Sequence, residues 1–307
     1  MNSLERVRNS ARAFFPGIAG GKDVGAASDA ELSKILGILK EVQSSMGPAP
    51  KRAEYMQIYD RRAFVALLSE LMLGACNFCY WAGRANCLPA GGSANLMAEI
   101  CYAEGKNLAG GELQGEPLGK LFSSIVQGTI NRVAVSGLPL IDRRIINLRE
   151  IAAVGEDRCI EFFGHLIEGR PLPEVMDELL RLLPVSFAGD IFLKRALLFF
   201  HQIYREFGLY SRDEMAKFPM PTDYQVPKML EAYGALTYSP RLKDIIAAGE
   251  HLPSGSLMEL EIRAGTMLIV DRLSELSGMT IGEIDWALWF TRKKVTTPYH
   301  LTVTTDY

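Results

Sequence analysis

The chain has 307 residues, of which 48% are hydrophobic and 22% charged, with a formal net charge of −3. That length and composition fit an ordinary globular protein able to bury a core without staples or metals. The near-balanced charge offers no bulk attraction for nucleic acid, and no apolar run approaches the ~18 residues that a membrane span needs.

The first fifteen residues carry Arg6, Arg8 and Arg12 but no apolar stretch, so a secretory signal is not expected and a cytoplasmic location is. Residues 29–42 place Leu32, Ile35, Leu36 and Leu39 on one helical stripe, with Ser28 as the cap. Residues 61–81 predict a long buried helix. A Gly- and Pro-rich loop follows at 83–94, then a helix at 95–103 and a second glycine-rich connection at 105–115. Helical spacing recurs at 118–133, 143–154, 159–166 and 173–183, the last opening on Pro173. An aromatic-rich helix over 190–207 ends at Gly208. Further helices are predicted at 223–234, 240–248, 257–276 and 281–291, and the tail 296–307 reads as a short strand or extended arm. Period-two alternation is scarce. The expectation is an all-α fold with at most a short C-terminal strand, in one compact domain over 1–307.

The five cysteines are Cys76, Cys79, Cys87, Cys101 and Cys159. Their odd number argues against a disulfide framework, and Cys76 and Cys79 have redox spacing without a βαβ setting. They read as buried thiols. Dinucleotide, P-loop, zincin and nucleophile-elbow motifs do not occur. The four histidines, His165, His201, His251 and His300, have no metal-ligand spacing. No metal and no cofactor is expected, so chemistry falls to carboxylates assisted by cations and aromatic rings.

Three clusters bear on that chemistry. Lys194 and Arg195 follow Asp190 in an apolar helix. They are either a structural ion pair or a solvated face on one hand, or contacts to a phosphate on the other. Asp223, ahead of Tyr224, is either a helix cap or an acceptor for the N–H edge of a purine-like base. Asp285 lies among Trp286, Trp289 and aliphatic residues, sharing a helix face with Trp289. It is either the cap of the last helix, with both tryptophans filling core, or the group that stabilises an oxocarbenium-like sugar.

Five segments in order resemble the queuosine-salvage proteins: Asp223 to Pro227, Tyr233 to Ser239, Glu259 to Ala264 with Arg263, Ile284 to Trp289, and Pro298 to His300. Phe192 to Ala196 resembles that family's Lys-Arg-Ala helix, and Cys76 to Trp81, with Phe78, its Asn-Phe-x-x-Trp segment. The resemblance implies a helical fold similar to DNA glycosylases, acting without cofactor on queuosine 5′-phosphate or a related 7-deazaguanine nucleotide. It implies that Asp285 is the catalytic carboxylate and that Asp223 recognises the base. Tyr224, Trp286, Trp289, Phe78, Trp81, Arg263 and His300 are expected around the substrate, with Lys194 or Arg195 on the phosphate. The partner expected is a small nucleotide, not nucleic acid or membrane; oligomeric state stays open. The chain departs from the family pattern in having no histidine between 43 and 60, Phe290 after Trp289, and Leu301 and Val303 after His300. The alternatives are a non-catalytic 7-deazapurine nucleotide-binding homologue and a glycosylase for another nucleoside or nucleic-acid base.

Overall fold

A computed structural model describes residues 2–16, 21–45, 47, 50–81, 93–108 and 117–307. Helix α1 (Ser3–Phe14) starts with a capping box: Asn2 accepts from the Glu5 amide at 2.9 Å, and Glu5 accepts from the Asn2 amide at 3.2 Å. Strand β1 (Val24–Ala26) and α2 (Asp29–Ser45) follow. Ser28 does precede α2. The Glu31 carboxylate accepts from both its amide and its hydroxyl, and the Ser28 carbonyl takes the Leu32 amide.

Next come α3 (Arg61–Cys76), α4 (Ser93–Leu108), α5 (Leu118–Ala134), α6 (Ile141–Val154), α7 (Glu156–Glu168), α8 (Leu172–Leu182), the single turn α9 (Pro184–Phe187) and α10 (Lys194–Phe207). The last part holds α11 (Arg212–Met215), α12 (Gln225–Ala232), strand β2 (Leu236–Tyr238), α13 (Pro240–Ala248), α14 (Leu257–Ser277) and α15 (Ile281–Thr291), which runs into a 3₁₀ turn at Arg292–Lys294. The architecture is all-α. Its one sheet among the described residues pairs β1 antiparallel with β2, Val24 facing Tyr238 and Ala26 facing Leu236. That sheet is not at the C-terminus. The tail, expected as a short strand or an extended arm, runs extended and bridges Leu301 to His251. Among the described residues no helix is long and apolar enough to cross a membrane.

The chain divides into two compact units, Met1–Ala49 with Ser211–Thr305 and Tyr307, and Pro50–Tyr210 with Asp306. In the first unit α14 is the central helix, packed by α1, α2, α12, α15 and β1. Gly265 lets α1 come close: a Cβ there would lie 2.9 Å from the Phe15 ring. In the second unit α3 is central, packed by α4, α6, α7, α9 and α10. Every residue from Ala63 to Cys76 is buried except Ala66, so α3 is apolar on nearly all faces and depends on neighbours for stability. Aromatic rings fill the space around it, with Phe162, Phe187 and Phe200 all within 6.4 Å of the Phe199 ring centroid.

Two boundaries differ from the sequence reading for physical reasons. The helix predicted over 190–207 begins at Lys194, because Asp190 turns back and caps it, accepting the amides of Phe192 at 3.0 Å and Lys194 at 2.8 Å. At its far end Gly208 stops the helix in a left-handed conformation, φ +63°, and a Cβ there would meet the Lys51 backbone at 2.3 Å. Helix α4 continues through Gly105 to Leu108, past the end expected at 103. The predicted connections lie outside the described residues at 83–92 and 109–115, as does Cys87. Cys76, Cys79, Cys101 and Cys159 are buried, and burial pushes the thiols of Cys76 and Cys159 up to about 12. These are inert thiols, not a redox pair.

Glu70, in the middle of α3, is a buried carboxyl that accepts a short hydrogen bond from the Tyr102 hydroxyl on α4, while its Oε2 has no partner. Burial raises it to about 7; the Tyr102 bond and Arg205 act against that rise and Glu206 adds to it. The unfolded carboxyl titrates near the ordinary glutamate value of 4.5. The folded chain therefore holds the proton more tightly, and this stability is complete below the unfolded value and lost as pH rises through about 7. The melting temperature is expected to fall between about pH 5 and pH 8, with Glu70→Gln flattening that part of the curve. An unchanged slope in the variant would rule the mechanism out.

Candidate active site

Helix α15 begins at Thr280, whose hydroxyl accepts from the Glu283 amide while Glu283 accepts from the Thr280 amide at 2.7 Å. Ile281, Ile284, Ala287 and Leu288 face inward and are buried. That phase leaves Asp285 and Trp286 half-buried and Trp289 and Phe290 more open, at 37% and 57% exposure. Asp285 is thus not a capping residue; Thr280 has that role. It sits one turn before Trp289 on the same flank. On the adjoining flank Trp286 and Phe290 stack at 5.0 Å between centroids and 12° between planes. Phe290, a departure from the family pattern, therefore completes an aromatic ledge.

Helix α12 packs on α15. Asp223 stands just before α12, and its Oδ1 accepts the amides of Gln225 at 2.7 Å and Val226 at 3.3 Å. The capping reading therefore holds for one oxygen. Oδ2 makes no hydrogen bond among the described residues, so it remains available to an N–H donor. The Tyr224 ring meets Tyr299 at 4.8 Å. Where α15 ends, the Arg292 guanidinium lies 3.3 Å from the centroid of the Trp289 indole and donates to the Trp289 carbonyl at 2.7 Å. Arg292 also feels the charge of Asp223, and Lys228, one turn after Tyr224, feels Arg292. Arg292, Lys228 and Tyr299 were not anticipated. Their signals were the cations three to five residues after Trp289 and the four-residue step from Tyr224 to Lys228.

Arg263 and His300 belong to a different buried network in the same unit. Arg263 pairs with Glu259 at 3.3 Å and lies 4.3 Å from the centroid of the Tyr307 ring. His300 Nε2 and the Tyr307 hydroxyl are 3.2 Å apart. Burial, then the Arg263 charge, takes the His300 imidazole down to about 3, so it is neutral at pH 7. Glu261, on the same helix as Arg263, accepts the amides of Lys22 at 2.8 Å and Asp23 at 2.7 Å.

The second unit gathers Phe78, Trp81, Lys194 and Arg195, with two residues sequence reading passed over, Arg144 and Asn147. Here α3 stops at Cys76, five residues short of the expected end. A helix leaves its last carbonyls without partners and negative in potential. Arg195 Nη1 takes the Ala75 carbonyl at 3.0 Å, Asn147 takes the same carbonyl at 2.7 Å, and Lys194 Nζ takes Asn77 at 3.1 Å. Arg144 donates to the carbonyls of Cys76, Phe78 and Pro139. The Phe78 ring lies between the guanidinium carbons of Arg144, at 4.4 Å, and Arg195, at 5.4 Å. Trp81 is buried. In this arrangement Lys194 and Arg195 cap a helix end with charge, a role neither sequence alternative specified.

This helical unit thus presents a carboxylate beside stacked indole and phenyl rings, with a second carboxylate at a neighbouring helix start. The profile of the queuosine salvage protein family matches residues 185–307. A queuosine 5′-phosphate N-glycosylase/hydrolase of Sphaerobacter thermophilus is 30% identical over 261 residues, 77% of this chain and 80% of that protein. One of the same name from Dictyostelium discoideum is 35% identical over 207 residues, 60% of this chain and 63% of that one. The chain belongs to the queuosine salvage protein family.

Proposed function

We propose that the protein hydrolyses the bond between base and ribose in queuosine 5′-phosphate, releasing queuine for reuse in tRNA modification. The observation that carries this reading is Asp285 half-buried on α15 beside Trp286 and Trp289, in a chain whose relatives bear that activity in their names. Breaking the glycosidic bond leaves positive charge on the sugar, and a fixed carboxylate stabilises that charge more than the neutral ground state. Asp285 takes that part and orients the water that adds to the anomeric carbon, while the base leaves with its bonding electron pair and is protonated. The ledge of Trp286 and Phe290 offers a stacking surface for the base. Asp223 Oδ2 accepts from its N–H edge. Tyr224 and Trp289 complete the proposed contacts within this unit, with Arg263 and His300 supporting the tail.

The test is incubation with queuosine 5′-phosphate, queuosine and guanosine 5′-phosphate, scoring free base by mass spectrometry. Release from a 7-deazaguanine substrate is expected, with little from guanosine 5′-phosphate. Asp223→Ala is expected to narrow that preference by about ten- to a hundredfold, as loss of a charge-assisted hydrogen bond does. No base release from any substrate, with ligand still bound, would point to a non-catalytic homologue.

A further inference from the structure

The junction of α12 and α15 holds two cations, Arg292 and Lys228, that form no ion pair among the described residues. Arg292 spends one N–H on the Trp289 carbonyl at 2.7 Å and lays its plane on the Trp289 ring. Lys228 is half-buried and makes no hydrogen bond or ion pair among the described residues. Neither has a carboxylate within ion-pair distance among the described residues, and Lys228 is close enough to feel the Arg292 charge. The nearest acid acting on Arg292 is Asp223, one of whose oxygens is committed to the amides of Gln225 and Val226. Burial and then the Arg292 charge lower Lys228, and burial lowers Arg292, each from its ordinary value. Holding two like charges together in a partly dry place is costly unless an anion joins them.

We propose that Arg292 and Lys228 form the anion subsite of this centre, receiving the phosphate of the nucleotide whose base Asp223 recognises. The proposal rests on the reading of the protein as a nucleotide N-glycosylase. Arg292 offers its remaining guanidinium N–H groups as a fork suited to phosphate oxygens, and Lys228 adds a mobile point charge. Trp289 holds the fork flat and fixes its direction. The assignment differs from that expected for Lys194 and Arg195, whose donors go to the backbone carbonyls of Ala75 and Asn77.

The experiment compares kcat/KM for queuosine 5′-phosphate with that for queuosine, and reads the ratio. In Arg292→Gln and Lys228→Met the ratio is expected to fall by about ten- to a hundredfold each. Lys228→Arg, which keeps the charge, is expected to restore most of it. Inorganic phosphate should inhibit the parent protein competitively and inhibit Arg292→Gln much less. Equal losses on both substrates, leaving the ratio intact, mean that the two cations only support the fold and overturn the proposal. So does a ratio that falls in Lys194→Met or Arg195→Gln instead. Failure of the parent protein to release base from either substrate strikes at the glycosylase reading itself, and phosphate binding measured by calorimetry then decides the subsite alone.

Discussion

Asp285→Asn is expected to slow base release by about a thousandfold or more while leaving substrate affinity within a few-fold, since single groups that meet transition-state charge are worth this much. The amide keeps the shape and most of the polarity of the carboxylate but not its charge. The ground state of the nucleotide has no cation at the anomeric carbon, so binding has little to lose. The developing oxocarbenium ion does, so the barrier rises. Asp285 is half-buried on the exposed flank of α15, and Thr280 and Glu283 supply the helix start. The substitution is therefore not expected to unfold the helix. Single-turnover rates and a separate binding measurement check both halves. Activity within tenfold of the parent would remove Asp285 from the chemistry.

Arg144→Met is expected to destabilise the protein by about 3 kcal/mol, the scale of leaving buried acceptors without donors. Arg144 is fully buried on α6, and its guanidinium holds the carbonyls of Cys76, Phe78 and Pro139. Two effects oppose one another. Removing the cation removes the cost of burying it, which favours the variant. The carbonyls at the end of α3 then face apolar surroundings without a donor, and two or more orphans outweigh that gain. Lysine in its place keeps the charge without the fork and is expected to recover only part of the loss. Denaturant midpoints at constant slope measure both. A loss under about 0.5 kcal/mol would mean that the helix end finds other partners.

The helical class was legible because apolar residues recur at helical spacing over most of the chain, and α13 and α15 begin and end where pattern and caps place them. Where the pattern misled, long-range polar contacts had decided the matter. Residues 77–81 continue the apolar run of α3, yet cations from α6 and α10 capture the carbonyls at its end. The two strands are three residues each and pair across most of the chain, so neither carries a local signature. The position of Asp285 relative to Trp289 followed from helical spacing alone. That Phe290 would stack on Trp286, or that Arg292 would fold back over Trp289, depended on rotamers no spacing reveals. The buried pair of Arg263 and Glu259 was legible as a four-residue step, but its enclosure by Tyr307 was not.

The order in which the units draw on the chain bears on synthesis. Helix α1 and strand β1 are synthesised before Pro50–Tyr210, yet their packing partner α14 and pairing partner β2 emerge only after the whole of it. The contiguous unit can condense as soon as it clears the exit tunnel, while the opening segment waits with its apolar stripe of Leu4, Val7 and Ala11 uncovered. Stalled or truncated chains lacking residues beyond 210 would keep that stripe exposed, a feature chaperones and proteases recognise.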